Sequence, residues 1–447
     1  MHILKFGGTS MSDAKTWQQV IDIISRYESP IVVVSATART TRELIKAATT
    51  ALDDIEEARS IAADIKQRHN KLVTEFLNDH QNKTPLIENC STWIDQHIEE
   101  LNTQLDAIND EQELTEQEKD AVASIGEKLS SYLFAQCASA AGIATQWIDA
   151  ADIIRTDSDF GQANPDEDYI ANQAASLKEQ VVKGKIPVMG GFYGMDENGH
   201  TTTLGFEGSD YSASLVGAAL DAETIEIWTD VSGIYTCDPR FVPEARPISQ
   251  LSFQEATELA YFGAKVLHPS TTKPASKKQI PVWVKNIFEP DEPGTCISTE
   301  STNGGPVKAI TYKENCTILT VTSSQTVMGY EFLAGVFDIL RWHHLAVDVV
   351  TTTEASVSIG IENGANLDDA IEQLNGYGSV DVLNNQGIIS LVGCNSDKFL
   401  VEDILSQVKN VPQNLISYSK SKGNLNLVVS KDQVLPVVKD IHQKLFS

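Results

Sequence analysis

The sequence is short of three things, and each lack removes a class of function. Cationic side chains are scarce: 34 lysines and arginines stand against 62 aspartates and glutamates, for a net charge of −28. Such a chain repels a phosphate backbone unless a strong local basic patch exists, and none is visible, so general nucleic-acid binding is excluded. Long apolar runs are missing as well, since nothing approaches the ~20 residues that a membrane span requires. The N-terminus opens directly on the strand-like run His2–Phe6, without the basic and apolar regions of a signal peptide. A cytoplasmic protein with no membrane partner is expected. Cysteine is sparse: Cys90, Cys137, Cys237, Cys296, Cys316 and Cys394 are scattered without CxxC spacing. That disfavours a zinc site or a disulfide framework, and no resident metal is expected. What remains is small-molecule chemistry, in which an anionic substrate must meet a few well-placed cations because the overall field opposes it.

What is present is a soluble globular composition, 41% apolar and 21% charged over 447 residues, a length that implies about three domains. The chain opens as strand, glycine loop, helix and strand: His2–Phe6, Gly7-Gly8-Thr9-Ser10, an amphipathic stretch with Trp17, Val20, Ile21 and Ile24, then 31–34. Further apolar strands at 186–189, 224–229 and 280–285 alternate with helical patterns, which predicts an α/β domain with a largely parallel sheet over 1–295. Residues 42–148 read as a helical insertion or lid, with Thr115 and Glu118 as a capping box opening the helix that carries Glu127. The Pro-, Gly- and Ser/Thr-rich stretch 290–306 marks a domain boundary, with the linker set at 296–306. Beyond it a βαββαβ pattern runs over 307–386 and repeats over 387–447, one strand short, predicting two ferredoxin-like α+β modules. The strand-like run 307–312 precedes the first copy and is expected to supply the missing edge strand of the second.

Four segments carry chemistry. A strand ending in Lys5, followed by Gly7-Gly8 and a helix, suits a phosphate, because glycines let backbone N–H groups approach an anion near a helix N-terminus. A tight βα turn with a solvated lysine reads equally well from those residues alone. Gly205-Phe206-Glu207-Gly208-Ser209-Asp210 opens the apolar helix 211–220, so Ser209 and Asp210 serve either as helix caps or in a site with Lys5. Thr229-Asp230 and the following residues through Arg240 sit at a strand's carboxyl end, where open α/β sheets bind ligands, although Asp, Gly and Pro form turns there for backbone reasons alone. Phe262-Gly263-Ala264-Lys265 places one lysine in an otherwise apolar stretch.

Together these segments resemble the aspartokinase family, within the wider amino-acid kinase group. KFGGTS at 5–10, TDSDFG at 156–161, TTTLG-x-x-GSD at 201–210, WTDVSGIYTCDPR at 228–240 and FGAKVLHP at 262–269 stand in the family's order and spacing. The resemblance covers essentially the whole chain, including paired C-terminal ACT domains, whereas glutamate and uridylate kinases resemble the catalytic half alone. It implies an amino-acid-kinase-like α/β domain followed by two ferredoxin-like ACT domains, and transfer of the ATP γ-phosphate, with Mg²⁺, to the β-carboxylate of L-aspartate. This is the entry to lysine, threonine and methionine synthesis. By the same resemblance Lys5 stabilises the transferring phosphoryl group and Asp210 orients it. Gly7, Gly8, Thr229, Asp230, Tyr235, Arg240 and Lys265 contact the nucleotide, while Glu127, Thr41 and Ser209 hold aspartate. The tail resembles lysine-sensitive members at Phe332, Leu333, Val347, Asp348 and Thr352. Lysine is therefore the first-choice effector and homo-oligomerisation through the ACT domains is expected. Glu331 replaces a usual glycine there.

One departure matters. Where the family has Arg-Gly-Gly before Ser-Asp, this chain has Phe206-Glu207-Gly208, so the arginine expected on a substrate carboxylate is absent. Arg39, in the loop after the second strand, is the expected replacement, because loops at strand carboxyl ends converge on the ligand. An amino-acid-sensing, catalytically weak paralogue or a kinase of another acidic substrate is the alternative reading.

Overall fold

The computed structural model describes all residues except 79, 81–82, 264–266, 269, 301–306, 324–328, 363–365, 395–400, 422 and 447. Lys265 therefore lies outside the described residues. Contacts divide the chain into two compact units, one of Met1–Ile234, Ser249–Phe253 and Leu267–Ser301, the other of Tyr235–Ile248, Gln254–Val266 and Thr302–Ser447.

The elements run β1 (His2–Phe6), α1 (Ala14–Ile24), β2 (Pro30–Val34), α2 (Thr40–Ala51), α3 (Ile55–Leu77), α4 (Lys83–Glu111), α5 (Glu116–Ala140), β3 (Thr145–Ile148) and α6 (Ala150–Ile153). Next come α7 (Glu167–Gln173), α8 (Ala175–Val182), β4 (Ile186–Gly190), β5 (Tyr193–Met195), β6 (Thr201–Thr203), α9 (Gly208–Ala219) and β7 (Thr224–Thr229). Then β8 (Gln250–Ser252), α10 (Phe253–Tyr261), α11 (Lys273–Lys278), β9 (Val282–Asn286) and β10 (Thr295–Ser298) follow. In the first unit the strands order as β3-β4-β2-β1-β7-β9-β10-β8, parallel except where β10 meets β9. The Pro-Ile-Val-Val-Val of β2 is buried at every position, as a strand covered on both faces must be. The sheet takes in residues 296–298 as part of β10, beyond the boundary expected at 295.

Helices α2 to α5 form the insertion. Along α4 the buried positions Cys90, Ile94, Ile98, Leu101, Leu105 and Ile108 recur every three or four residues, giving one continuous seam in the shared core. At the start of α5 both halves of the Thr115–Glu118 capping box are formed, which fixes where the helix begins and so where Glu127 stands along it.

The second unit holds β11 (Ala309–Ser323), α12 (Tyr330–Trp342), β12 (Val347–Thr352), β13 (Ser356–Glu362), α13 (Leu367–Leu374), β14 (Gly378–Val392), α14 (Val401–Gln407), β15 (Leu415–Ser419), β16 (Asn424–Ser430) and α15 (Lys431–Phe446), and its strands build one antiparallel sheet. Its order is β12-β13-β11-β14-β16-β15. The strands read separately at 307–312 and 317–322 are a single strand, β11, and those at 380–383 and 388–392 are a single β14. The register shifts between Lys313 and Ile318, and Asn315 and Asn385 take left-handed backbones there. Bulges of this kind let a strand pass a polar interruption without ending. Ala309–Lys313 of β11 pair with 388–392 of β14, so the first half of β11 is the fourth strand beside the C-terminal module.

Candidate active site

The four neighbouring strands β4, β2, β1 and β7 are parallel, so their carboxyl ends share one sheet edge, the edge at which such sheets bind ligands. At that edge the Gly7 N–H donates to the Trp228 carbonyl at 3.1 Å, and a side chain on Gly8 would stand 3.3 Å from the Ala36 carbonyl. The loop after β1 is thus held against both the end of β7 and the loop after β2.

Helix α9 begins at Gly208, with Glu207 at its N-cap in a left-handed backbone (φ 55°) and no side-chain cap bond. Ser209 and Asp210 therefore lie inside the first turn, and the capping role open to them from sequence is not the one they have. Asp210 pairs with Lys5 instead, in a close ionic contact with both side chains buried. Lys5 is only 8% exposed, so the strand-end lysine is not a solvated one.

Glu127, near the middle of α5, is buried beside this pair. Its carboxylate accepts from Ser209 Oγ at 3.4 Å, while Oε2 has no hydrogen-bond partner among the described residues. Burial pushes this acid up to about 8, against the pull of the Ser209 hydroxyl and of Lys5. Two glycines make the approach possible: a Cβ on Gly191 would fall 2.6 Å from the Ser209 Cα, and one on Gly190 would fall 3.1 Å from the Glu127 Cβ. Gly190-Gly191 went unremarked in the sequence. The available signal was a glycine pair ending an apolar strand, as at Gly7-Gly8.

The departing motif resolves into two different side chains. Phe206 is 76% exposed and meets the His268 ring edge-on at 6.2 Å. Glu207 turns back, accepting from the His268 N–H, and is pushed up to about 7 by burial and by the charge of Asp210. Glu207 is thus only partly charged near neutrality. Asp120 is a second residue that the sequence did not announce. Its carboxylate accepts from the Gly161 N–H at 2.9 Å, the Thr203 N–H at 2.8 Å and Thr203 Oγ1 at 2.6 Å, tying two of the motif segments to α5.

The remaining site residues fall as follows. Arg39 is exposed, at φ 71°, heading α2, with Thr41 half-buried in its first turn. Thr229 ends β7 and donates to the exposed Asp230 at 3.2 Å. Tyr235 and Arg240 belong to the second unit, where Arg240 forks onto Asp238 with its closest contact at 2.6 Å. In the same unit Phe332 is buried in a core cluster against which Leu333 and Val347 pack, and Thr352 is exposed. Asp348 is already paired with a cation. Lys313 Nζ lies 2.5 Å from its Oδ1 and 5.3 Å from the centre of the Tyr261 ring, whose hydroxyl donates to the Val347 carbonyl.

Comparison with known proteins agrees with this arrangement. The amino acid kinase family matches residues 1–286. The chain is 33% identical to the chloroplastic aspartokinase 1 of Arabidopsis thaliana over 99% of this chain and 80% of that protein. It is 32% identical to the lysine-sensitive aspartokinase 3 of Escherichia coli over 99% of both. The structure is similar to that of E. coli aspartokinase III in complex with aspartate and ADP, with a TM-score of 0.86, 30% identity and 100% of each chain covered. Because similarity at this level runs through both units and not through the kinase half alone, the chain belongs to the aspartokinase family.

Proposed function

We propose that this aspartokinase binds aspartate between Glu127 and the loop after β2 and transfers phosphate to it from MgATP at Lys5. The observation that carries the reading is the buried Lys5–Asp210 pair beside Glu127, whose Oε2 is a buried acceptor waiting for a donor. An α-ammonium is the donor that such an acceptor favours, since binding it ionises the acid and satisfies it in one step. The acceptor carboxylate of aspartate, with a pKa of about 3.9, is already ionised at neutral pH, so no general base is required. Catalysis then consists of positioning plus positive charge on the phosphoryl oxygens. Lys5 supplies that charge, held in place by Asp210. Mg²⁺ arrives on the triphosphate as part of the substrate and neutralises charge there. Gly7 and Gly8 offer close backbone approach, and Thr229, Asp230, Tyr235, Arg240 and Lys265 are assigned to the nucleotide.

The second unit is assigned to amino-acid sensing, with lysine the effector, near Phe332, Leu333, Val347, Asp348 and Thr352. The lysine sensitivity in the name of the E. coli relative supports this. Exposed Trp342, Val382, Leu383 and Ile416 support pairing with a second copy through this unit. We assign the product to lysine, threonine and methionine synthesis and the enzyme to the cytoplasm. The deciding test is ADP release over a panel of carboxylates under saturating MgATP, with and without lysine. Aspartate-dependent turnover inhibited by lysine is expected. Turnover with a different acid alone overturns the substrate, and turnover indifferent to lysine overturns the effector.

A further inference from the structure

The helical insertion reaches the loop after β2 through a chain of hydrogen bonds in which every direction is fixed. Arg68 Nη2 lies 3.0 Å from Thr40 Oγ1, Thr40 Oγ1 lies 2.6 Å from Thr37 Oγ1, and Thr37 Oγ1 lies 3.1 Å from His69 Nε2. His69 Nδ1 closes the chain 2.8 Å from the Ile65 carbonyl. A carbonyl only accepts and a guanidinium only donates, so both ends are set. Nδ1 must carry the imidazole proton, which leaves Nε2 as a lone pair. Thr37 must then donate to Nε2, Thr40 to Thr37, and Arg68 to Thr40. Thr37, Thr40 and His69 are 4%, 0% and 0% exposed, so reversing any member strands a buried polar group. Burial also holds the imidazole down at about 4, which keeps it neutral.

What this chain holds is the border of the proposed aspartate site. The Thr40 N–H donates to the Thr37 carbonyl at 3.0 Å across Arg39, which is left in its left-handed backbone. One residue earlier the loop packs on α5 beside Glu127, since a Cβ on Gly126 would fall 2.9 Å from the Ala36 Cβ. Ser130 Oγ donates to the Ser35 carbonyl at 2.7 Å. Neither His69 nor Arg68 belongs to any motif in the sequence.

We propose that His69 is a positioning residue for the acceptor substrate: acting through Thr37 and Thr40, it fixes loop 35–41 against α5 beside Glu127 so that Arg39 and Thr41 face the amino acid. The proposal rests on the assignment of Glu127, Arg39 and Thr41 to aspartate. Losing the Nε2 acceptor frees two hydroxyls and the loop they hold, and the phosphate side of the site is left intact. The test compares His69→Leu, His69→Gln and the isosteric Thr37→Val with Glu127→Gln in steady-state kinetics, varying aspartate and MgATP separately and counting folded active sites. In His69→Leu and Thr37→Val the KM for aspartate is expected to rise by about tenfold, the loss of one or two net hydrogen bonds, with kcat and the KM for MgATP nearly unchanged. His69→Gln, whose amide oxygen can take the Nε2 position, restores it. If His69→Leu does not fold, Thr37→Val carries the test alone. A KM for aspartate that rises in Glu127→Gln but stays put in the His69 and Thr37 variants overturns the positioning role alone. A KM unmoved in all of them overturns the site assignment with it. Activity that falls only with the folded fraction shows His69 to be structural and also overturns the proposal.

Discussion

The Lys5 ammonium and the Asp210 carboxylate share a buried contact, their side chains only 10% and 6% exposed, so removing one leaves the other uncompensated. Lys5→Ala is expected to abolish turnover, because the phosphoryl group loses its fixed cation. It also costs stability, by about 3–5 kcal/mol for a broken buried pair. The double variant Lys5→Met/Asp210→Asn is inactive too, yet regains much of that stability in a denaturant titration. Recovery of most wild-type activity in Lys5→Ala removes Lys5 from the mechanism. Glu127 makes the second residue-scale prediction. Its acid is raised from 4.5 to about 8, so its neutral form stabilises the empty enzyme fully below the unfolded value, and that contribution is lost as pH rises through about 8. Between those limits the melting temperature of Glu127→Gln should gain steadily on wild type. Binding of an ammonium requires the ionised form. Below about pH 8 each aspartate bound must therefore expel a proton, and its KM should climb by up to about tenfold per unit of acidification. A KM profile in Glu127→Gln as steep as in wild type assigns the proton elsewhere.

At the scale of elements, the entry to α9 and the strand junction at Lys313 each place a charge where a ligand's is expected. Glu207 occupies a left-handed N-cap, a conformation that glycine adopts at less cost. Phe206→Arg alone is expected to help aspartate binding little, since the new guanidinium meets Glu207 first. The pair Phe206→Arg/Glu207→Gly should lower the KM for aspartate by about tenfold or more, the worth of one charge-assisted hydrogen bond. If Phe206→Arg alone does as well, Glu207 is no competitor. In the second unit Asp348 is buried with Oδ2 unpartnered among the described residues while Lys313 holds Oδ1. An effector's ammonium must compete with that tethered one. Lys313→Met should therefore tighten lysine binding by about tenfold in calorimetry, and weaker binding in the variant shows that Lys313 assists the ligand instead.

For the whole molecule, the two long strands β11 and β14 make one sheet of what the sequence presents as two modules. The C-terminal module takes its fourth strand from Ala309–Lys313, ahead of the first module. A fragment of residues 387–447 thus lacks an edge strand and the apolar partners Val307 and Ile310 of its core. It is expected to be unfolded by circular dichroism, and cooperative thermal melting of that fragment would contradict the shared-strand arrangement.

The sequence by itself determined the elements, the family and the acids and cations to consider. Those follow from local rules: periodicity, glycine at tight turns, the Thr115–Glu118 capping box, and the order of motifs along the chain. It also isolated Phe206 as the departure. Only the tertiary structure decided which of these residues lie together. Lys5 and Asp210, 205 positions apart, become one buried pair only when β1 and β7 lie side by side and α9 packs behind them. Glu127 and Glu207 are ordinary carboxylates until burial raises them, and burial is a property of packing. His69 lies in an otherwise unremarkable helix, and its hydrogen-bond direction exists only once α3 meets the loop after β2. The continuity of β11 through Asn315 depends on a partner strand that bulges with it, a long-range pairing that no local pattern encodes.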